Sequence, residues 1–258
     1  MRDVWQVTPL FFERVETGFE GVVPEGAERN DVSIPGRGPG ELEKAHAPIR
    51  DFVARTAKAG DRPVVMAGDC CAAMPVVAGL QDAGVAPTLV WLDSHGDFNT
   101  PETSPSQFLG GMPLAMLVGR GPQWLMEADG VRVLEETDVV LVGARDLDPL
   151  EAEALDGSRV RQMTVEAAMA LKVEGPVHLH FDTDLLDAEA FGAFNYPVPG
   201  GPDLAQMQAL LEAIDDRCDV RALSVSGWNG SLDDGGRGTA VFGKMLARFG
   251  ARLGAQAG

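Results

Sequence analysis

The stretch Pro87-Thr88-Leu89-Val90-Trp91-Leu92-Asp93-Ser94-His95-Gly96-Asp97 decides the fold. Its first half is a short, near-continuous apolar run. Such a run reads as a strand buried on both faces, hence as part of a parallel sheet. Its second half turns abruptly acidic, which marks the exit from that sheet. Four further runs have the same character, at residues 62–68, 138–143, 176–182 and 222–226. Between them lie helical patterns at 41–57, 72–80, 150–155 and 239–253. Another places Leu204, Met207, Leu210, Leu211 and Ile214 at helical spacing behind Asp203 as N-cap. Strands alternating with helices predict an α/β fold: a doubly wound, mostly parallel sheet flanked by helices, with residues 1–258 as a single domain. No internal repeat or Ser/Pro linker is visible. The Gly- and Pro-rich segment 16–40 is expected to be a long surface loop.

Composition narrows the function. A chain of 258 residues with 45% hydrophobic content has enough apolar side chain for a sizeable core. Its 21 Lys+Arg against 39 Asp+Glu leave a net charge of −18, which argues against nucleic acid and anionic membrane as partners. A cation or a small cationic molecule remains compatible. No apolar run suffices to span a bilayer, and the first residues lack the pattern of a signal peptide. Three cysteines, two of them adjacent at Cys70 and Cys71, make no disulfide framework and fit a reducing cytoplasm.

In open parallel sheets, ligands bind beyond the carboxyl ends of the strands. Three runs end in candidate ligands there: Gly68-Asp69-Cys70-Cys71, Asp93-Ser94-His95-Gly96-Asp97 and Asp182-Thr183-Asp184. Spacing of i, i+2, i+4 puts side chains of an extended chain on one face. Acids converging on one crevice repel unless a cation compensates them. Oxygen-rich ligation with one imidazole suits Mn²⁺, and shared carboxylates suit two metals. His178 and His180 lie deeper in their strand and read as satisfied core histidines. His46 reads as exposed, and Cys218 as a buried packing residue.

At these residues the chain resembles the ureohydrolase superfamily, which includes arginase, agmatinase and formimidoylglutamase. The family motifs G-G-D-H, D-A-H-x-D and S-F-D-x-D-x-x-D-P appear as Ala67-Gly68-Asp69-Cys70, Asp93-Ser94-His95-Gly96-Asp97 and His180-Phe181-Asp182-Thr183-Asp184-Leu185-Leu186-Asp187-Ala188. The resemblance covers about residues 60–250 and is poor before them. It implies an arginase-like three-layer αβα fold and two Mn²⁺ ions. One ion would be held by Cys70, Asp93, Asp97 and Asp182, the other by Asp93, His95, Asp182 and Asp184. Asp93 and Asp182 would bridge with a hydroxide, and Asp97 would be catalytic. The resemblance also assigns the α-carboxylate of an amino-acid substrate to Asn99 and Ser106, and its α-ammonium to Asp148 and Glu151.

The departures bear on the substrate. Cys70 replaces a histidine ligand, and Gly110 stands where arginases carry a histidine. The family's V-E-V-N-P appears as Ser226-Gly227-Trp228-Asn229, so Gly227 replaces the Glu that pairs with guanidinium. Tyr196, the one tyrosine, is brought toward the pocket. A persistent guanidinium would lack its partner, whereas a less basic N-hydroxyguanidine enters neutral. These departures resemble the hydroxyarginine-hydrolysing branch of the family known from D-cycloserine biosynthesis. They imply cleavage of Nω-hydroxy-L-arginine to L-ornithine and hydroxyurea. An ordinary arginase, a formimidoylglutamase and a non-catalytic descendant remain the alternatives. Gly227→Glu is expected to improve arginine binding. A Gly/Ala tail at 254–258 and the high net charge lead to the expectation of a monomer.

Overall fold

The computed structural model of the chain describes residues 1–12, 14–16, 18–30, 39–189, 192–233 and 236–250. Its strands are β1 (Asp3–Thr8), β2 (Leu10–Phe11), β3 (Arg14–Val15), β4 (Glu28–Arg29), β5 (Arg62–Ala67), β6 (Thr88–Leu92), β7 (Val139–Val142), β8 (Arg161–Met163), β9 (Pro176–Asp182) and β10 (Asp219–Ser226). Its helices are α1 (Pro39–Lys58), α2 (Ala73–Asp82), α3 (Pro113–Leu117), α4 (Trp124–Asp129), α5 (Pro149–Asp156), α6 (Val165–Ala168), α7 (Leu204–Arg217) and α8 (Arg237–Gly250).

Eight strands form one sheet in the order β4-β1-β5-β10-β9-β6-β7-β8, and every pairing in it is parallel. β2 and β3 make a separate antiparallel pair. The five expected strands are all present, and alternate residues of the central ones enter opposite layers. Val90 and Leu92 join Phe181, Leu210 and Phe242 on one face, while Leu89 and Trp91 join Met74, Leu114 and Met116 on the other. Burial on both faces is therefore the physical content of the apolar runs; each fully buried Leu or Val contributes about 1.5–3 kcal/mol. The same topology brings the carboxyl ends of β5, β10, β9 and β6 side by side at the centre of the sheet.

The segment 16–40 departs from expectation. Phe19 and Val22 are buried in the core, and Glu28–Arg29 pairs with β1, so 18–30 packs as part of the fold; 31–38 lie outside the described residues. Strands β1, β4 and β8 carry no continuous apolar run. They are recruited by backbone pairing at the margins of the sheet, a signal that hydropathy does not contain. The C-terminal helix is described to Gly250, so the expected tail at 254–258 lies outside the described residues. His46 is buried, not exposed: α1 packs on α4, and His46 Nδ1 sits 2.7 Å from Asp129 Oδ2. Cys218 is buried, as read. Among the described residues, no helix is long and apolar enough to cross a membrane.

Candidate metal centre

The loop after β5 is tightly constrained. At Gly68 a Cβ would meet Leu10 O and lie 2.8 Å from Phe11 N, so only glycine lets the N-terminal chain pass this close. Asp69 then caps the next turn by accepting the Cys71 N–H at 3.0 Å, which points Cys70 into the cavity. After β6, Asp93 Oδ1 accepts the His95 N–H at 2.7 Å and Asp93 Oδ2 accepts the Trp91 indole N–H at 3.0 Å. Asp97 follows in left-handed conformation at φ 48°, a strained setting for a residue with a Cβ. At the end of β9, Asp182 Oδ1 accepts the Asp184 N–H at 2.9 Å. Asp182 Oδ2 accepts from the Cys70 thiol at 2.8 Å, and Asp184 Oδ1 accepts from Ser94 Oγ at 2.8 Å.

These elements bring all six expected ligands to one cavity of about 50 Å³. Ligand atoms of Cys70, Asp93 and Asp97 lie within 4.8 Å of one another, as do those of Asp93, His95 and Asp184. Asp93 is common to both groups. Asp182 lines the cavity against Cys70 but falls in neither group.

The donor set fits a pair of divalent cations. Burial, then neighbouring Asp184, pushes Asp182 up to about 7. Burial and then Asp93 push Asp97 well above the carboxylate range, and burial and then Asp182 do the same to the Cys70 thiol. Burial opposes charge on His95, but hydrogen bonds to Asp184 and Asp93 outweigh it and lift the imidazolium to about 12. Asp97 Oδ2 is buried with no hydrogen-bond partner among the described residues. Anions kept partly protonated, beside an unpartnered carboxylate oxygen, are what a bound cation would satisfy.

One consequence concerns stability. Between their unfolded and folded values, Asp182 (3.8 to about 7) and His95 (6.5 to about 12) both hold more protons folded than unfolded. Their stabilisation is complete below the unfolded values and is lost as pH rises. Chelator-treated protein should therefore melt several degrees lower at about pH 8 than at about pH 5, and excess Mn²⁺ should remove most of that difference. Calorimetry in both conditions checks it; a chelated protein that is more stable at the higher pH would refute the assignment.

The four expected substrate contacts are placed differently, and none lines the cavity. Asn99 Nδ2 donates to Asp148 Oδ2 at 3.0 Å, so these two sit together beside the centre. Ser106 is exposed and accepts the Phe108 N–H at 3.2 Å. Glu151, expected as a head-group contact, is held by the backbone. It is 3% exposed, and its two oxygens accept the N–H groups of Phe98 at 2.9 Å and Asp148 at 3.2 Å. The carboxylate braces the loop that carries Asp97 against the start of α5.

Gly227 also differs from expectation. Its φ is +79°, and a Cβ there would meet Asp182 Oδ1, with Asp182 Cγ and Oδ2 at 2.8 Å. A side chain at 227 would force Asp182 or the loop to shift, so Gly227→Glu is expected to disturb the cluster before it can pair a guanidinium. Trp228, next in sequence, points away into the core and stacks on Phe242 with centroids 5.0 Å apart.

Tyr196 was expected toward the pocket and lines it; the three phenylalanines of the wall facing the ligands were missed. Phe11, Phe12, Phe108 and Tyr196 form that wall, with Phe12–Phe108 centroids at 5.1 Å and Phe108–Tyr196 at 5.6 Å. Phe11 and Phe12 come from the N-terminal segment that carried no motif. Trp91 and Ser94, hydrogen-bonded to Asp93 and Asp184, lay inside quoted motifs, but nothing in their spacing signalled those bonds.

A family model described as "Arginase family" matches residues 18–250, which extends the likeness well before residue 60. The N(omega)-hydroxy-L-arginine amidinohydrolase of Streptomyces lavendulae is 34% identical over 175 residues, 64% of this chain and 60% of that protein. An arginase of Schizosaccharomyces pombe is 33% identical over 193 residues, 69% of this chain and 60% of that protein. The chain thus spans about 60% of the length of the curated relatives it matches. Among solved structures, the arginase of Bacillus caldovelox superposes with a TM-score of 0.83 at 23% identity, covering 98% of this chain and 100% of the other.

Proposed function

The chain belongs to the arginase family, and from that premise we propose that it is a binuclear manganese amidinohydrolase acting on Nω-hydroxy-L-arginine. With water this substrate gives L-ornithine and hydroxyurea. The observation that carries the substrate is Gly227, where a left-handed backbone and the adjoining Asp182 carboxylate crowd out a side chain. Asp69, the one acid of the cavity outside the expected ligands, is engaged by the Cys71 and Phe12 N–H groups at 3.0 and 3.3 Å. The facing wall is aromatic. Arginine would carry a guanidinium into this cavity with no carboxylate free to pair it, which a desolvated cation tolerates poorly. A hydroxyguanidine is less basic and enters neutral. The 34% identity to a protein named for this substrate supports the same reading.

Cys70, Asp93 and Asp97 would hold one cation, and Asp93, His95 and Asp184 the other, with Asp182 beside Cys70 as a further donor. When bound, such a pair lowers the pKa of water and clamps the attacking and leaving atoms. Asp97 would take the proton of the attacking water and return it to the leaving nitrogen. Phe11, Phe12, Phe108 and Tyr196 exclude bulk water from the reacting carbon. Asn99 and Asp148 would read the α-amino-acid end. We read the protein as a cytoplasmic monomer; its cysteines are all free.

The test is ornithine release in Mn²⁺ with arginine, Nω-hydroxyarginine and agmatine as substrates. A ligand swap complements it. Cys70→His should keep two metals per chain, and Cys70→Ala should lose one, read by elemental analysis. Unchanged metal content in Cys70→Ala would remove Cys70 from the ligand set.

A further inference from the structure

Behind the ligands runs a line of buried polar side chains that the reaction does not use. His178, His180 and Asp182 alternate along β9, and β10 sets Ser224 opposite His180 and Ser226 opposite Asp182. His178 Nε2 lies 2.8 Å from Ser224 Oγ, which lies 2.8 Å from His180 Nδ1. His180 Nε2 lies 3.3 Å from Ser226 Oγ. Ser226 Oγ in turn lies 3.1 Å from both Cys70 Sγ and Asp182 Oδ2. None of these four His and Ser residues is more than 2% exposed.

The direction of these bonds follows from counting protons. With metal bound, Asp182 and Cys70 would be anionic and only accept, so the single Ser226 hydrogen is shared between them as a three-centre donor and the oxygen accepts from His180 Nε2–H. His180, buried and neutral, then has a bare Nδ1 that needs a donor, and Ser224 O–H is in place. Ser224 accepts in turn from His178 Nε2–H. That leaves a bare lone pair on His178 Nδ1, and this is the atom without a partner among the described residues. An unpaired acceptor is better tolerated than an unpaired N–H. The order deduced from the ligand end thus agrees with the orphan at the other end. Against the family motifs, His180 stands at the Ser of S-F-D and Ser226 at a Val of V-E-V-N-P, so this line accompanies the Cys70 replacement.

We propose that Ser226 is a positioning residue for Cys70, its hydroxyl donating to the sulfur and aimed there by His180, Ser224 and His178. The proposal rests on the reading of Cys70 as a metal ligand. An O–H···S bond draws electron density off the thiolate, which eases its proximity to Asp93, Asp97 and Asp182 and holds its rotamer.

The test uses Co²⁺ in place of Mn²⁺, because sulfur bound to cobalt absorbs in the near ultraviolet by charge transfer. Wild type should show this band and Cys70→Ser should lack it. Ser226→Ala should move the band to longer wavelength and weaken cobalt binding about tenfold, the usual size of an outer hydrogen-bond loss at a metal site. Ser226→Thr, which keeps the hydroxyl, should restore both. In a Cys70→His background, Ser226→Ala should weaken cobalt binding clearly less than in the wild type, since the bond to sulfur is gone and only that to Asp182 remains. The proposal is overturned if Ser226→Ala leaves band and affinity unchanged, or weakens cobalt equally in the Cys70→His protein. A wild-type protein without the band overturns the ligand reading itself, which separates the two failures.

Discussion

Gly227→Ala is expected to release at least one metal ion per chain and to lower kcat by about a hundredfold or more. Two costs combine at this position. The backbone is left-handed at φ +79°, which strains a residue carrying a Cβ by about 1–3 kcal/mol. The new methyl would also stand on Asp182, whose Oδ1 it meets and whose Cγ and Oδ2 it approaches to 2.8 Å. The loop has little room to retreat, because Gly227 N–H donates to Gly68 O at 3.3 Å. Gly60→Ala separates the two costs: Gly60 has φ +80° with nothing within 4 Å of a built Cβ. It should lose stability by a similar backbone amount while keeping both metals and full activity. Elemental analysis and turnover of the two variants decide the matter. A Gly227→Ala enzyme with two metals and normal kcat would show that Asp182 is not held where the structure has it.

The second large effect is the preference of the wild-type enzyme among substrates. Leaving a buried charge without its partner costs about 3–5 kcal/mol. Converted at about 1.36 kcal/mol per decade, kcat/KM for Nω-hydroxyarginine should exceed that for arginine by at least about a hundredfold. The difference should lie in kcat as much as in KM, because the missing carboxylate is at the reacting end. Raising the pH within the stable range should narrow it little, since arginine stays charged throughout. A ratio near one, or one favouring arginine, would refute the hydroxyguanidine reading while leaving the metal centre intact.

The cluster of candidate ligands was legible because its signal is local. An apolar run marks a buried strand, and an acidic residue immediately after it lies at that strand's carboxyl end, so Asp93, His95, Asp97, Asp182 and Asp184 could be named from spacing alone. Asp182 remains the exception in detail, adjoining Cys70 but lying outside both close ligand groups. The substrate contacts were less legible. Glu151 matched a family position, yet a carboxylate three residues into a helix also fits a cap, and backbone N–H groups claim it here.

By itself, then, the amino-acid sequence determined the layer architecture, the central strands and the acidic cluster at their ends, because each depends on hydropathy period and residue type within a few positions. Tertiary structure alone decided the rest. It turned Gly227 from a missing glutamate into a position where a side chain is crowded, because Asp182 arrives there from a neighbouring strand. It buried His46 against Asp129 and gathered Phe11, Phe12, Phe108 and Tyr196 into one wall. Contacts between residues far apart in the chain depend on how strands are ordered in the sheet, and that order leaves no periodic mark in the sequence.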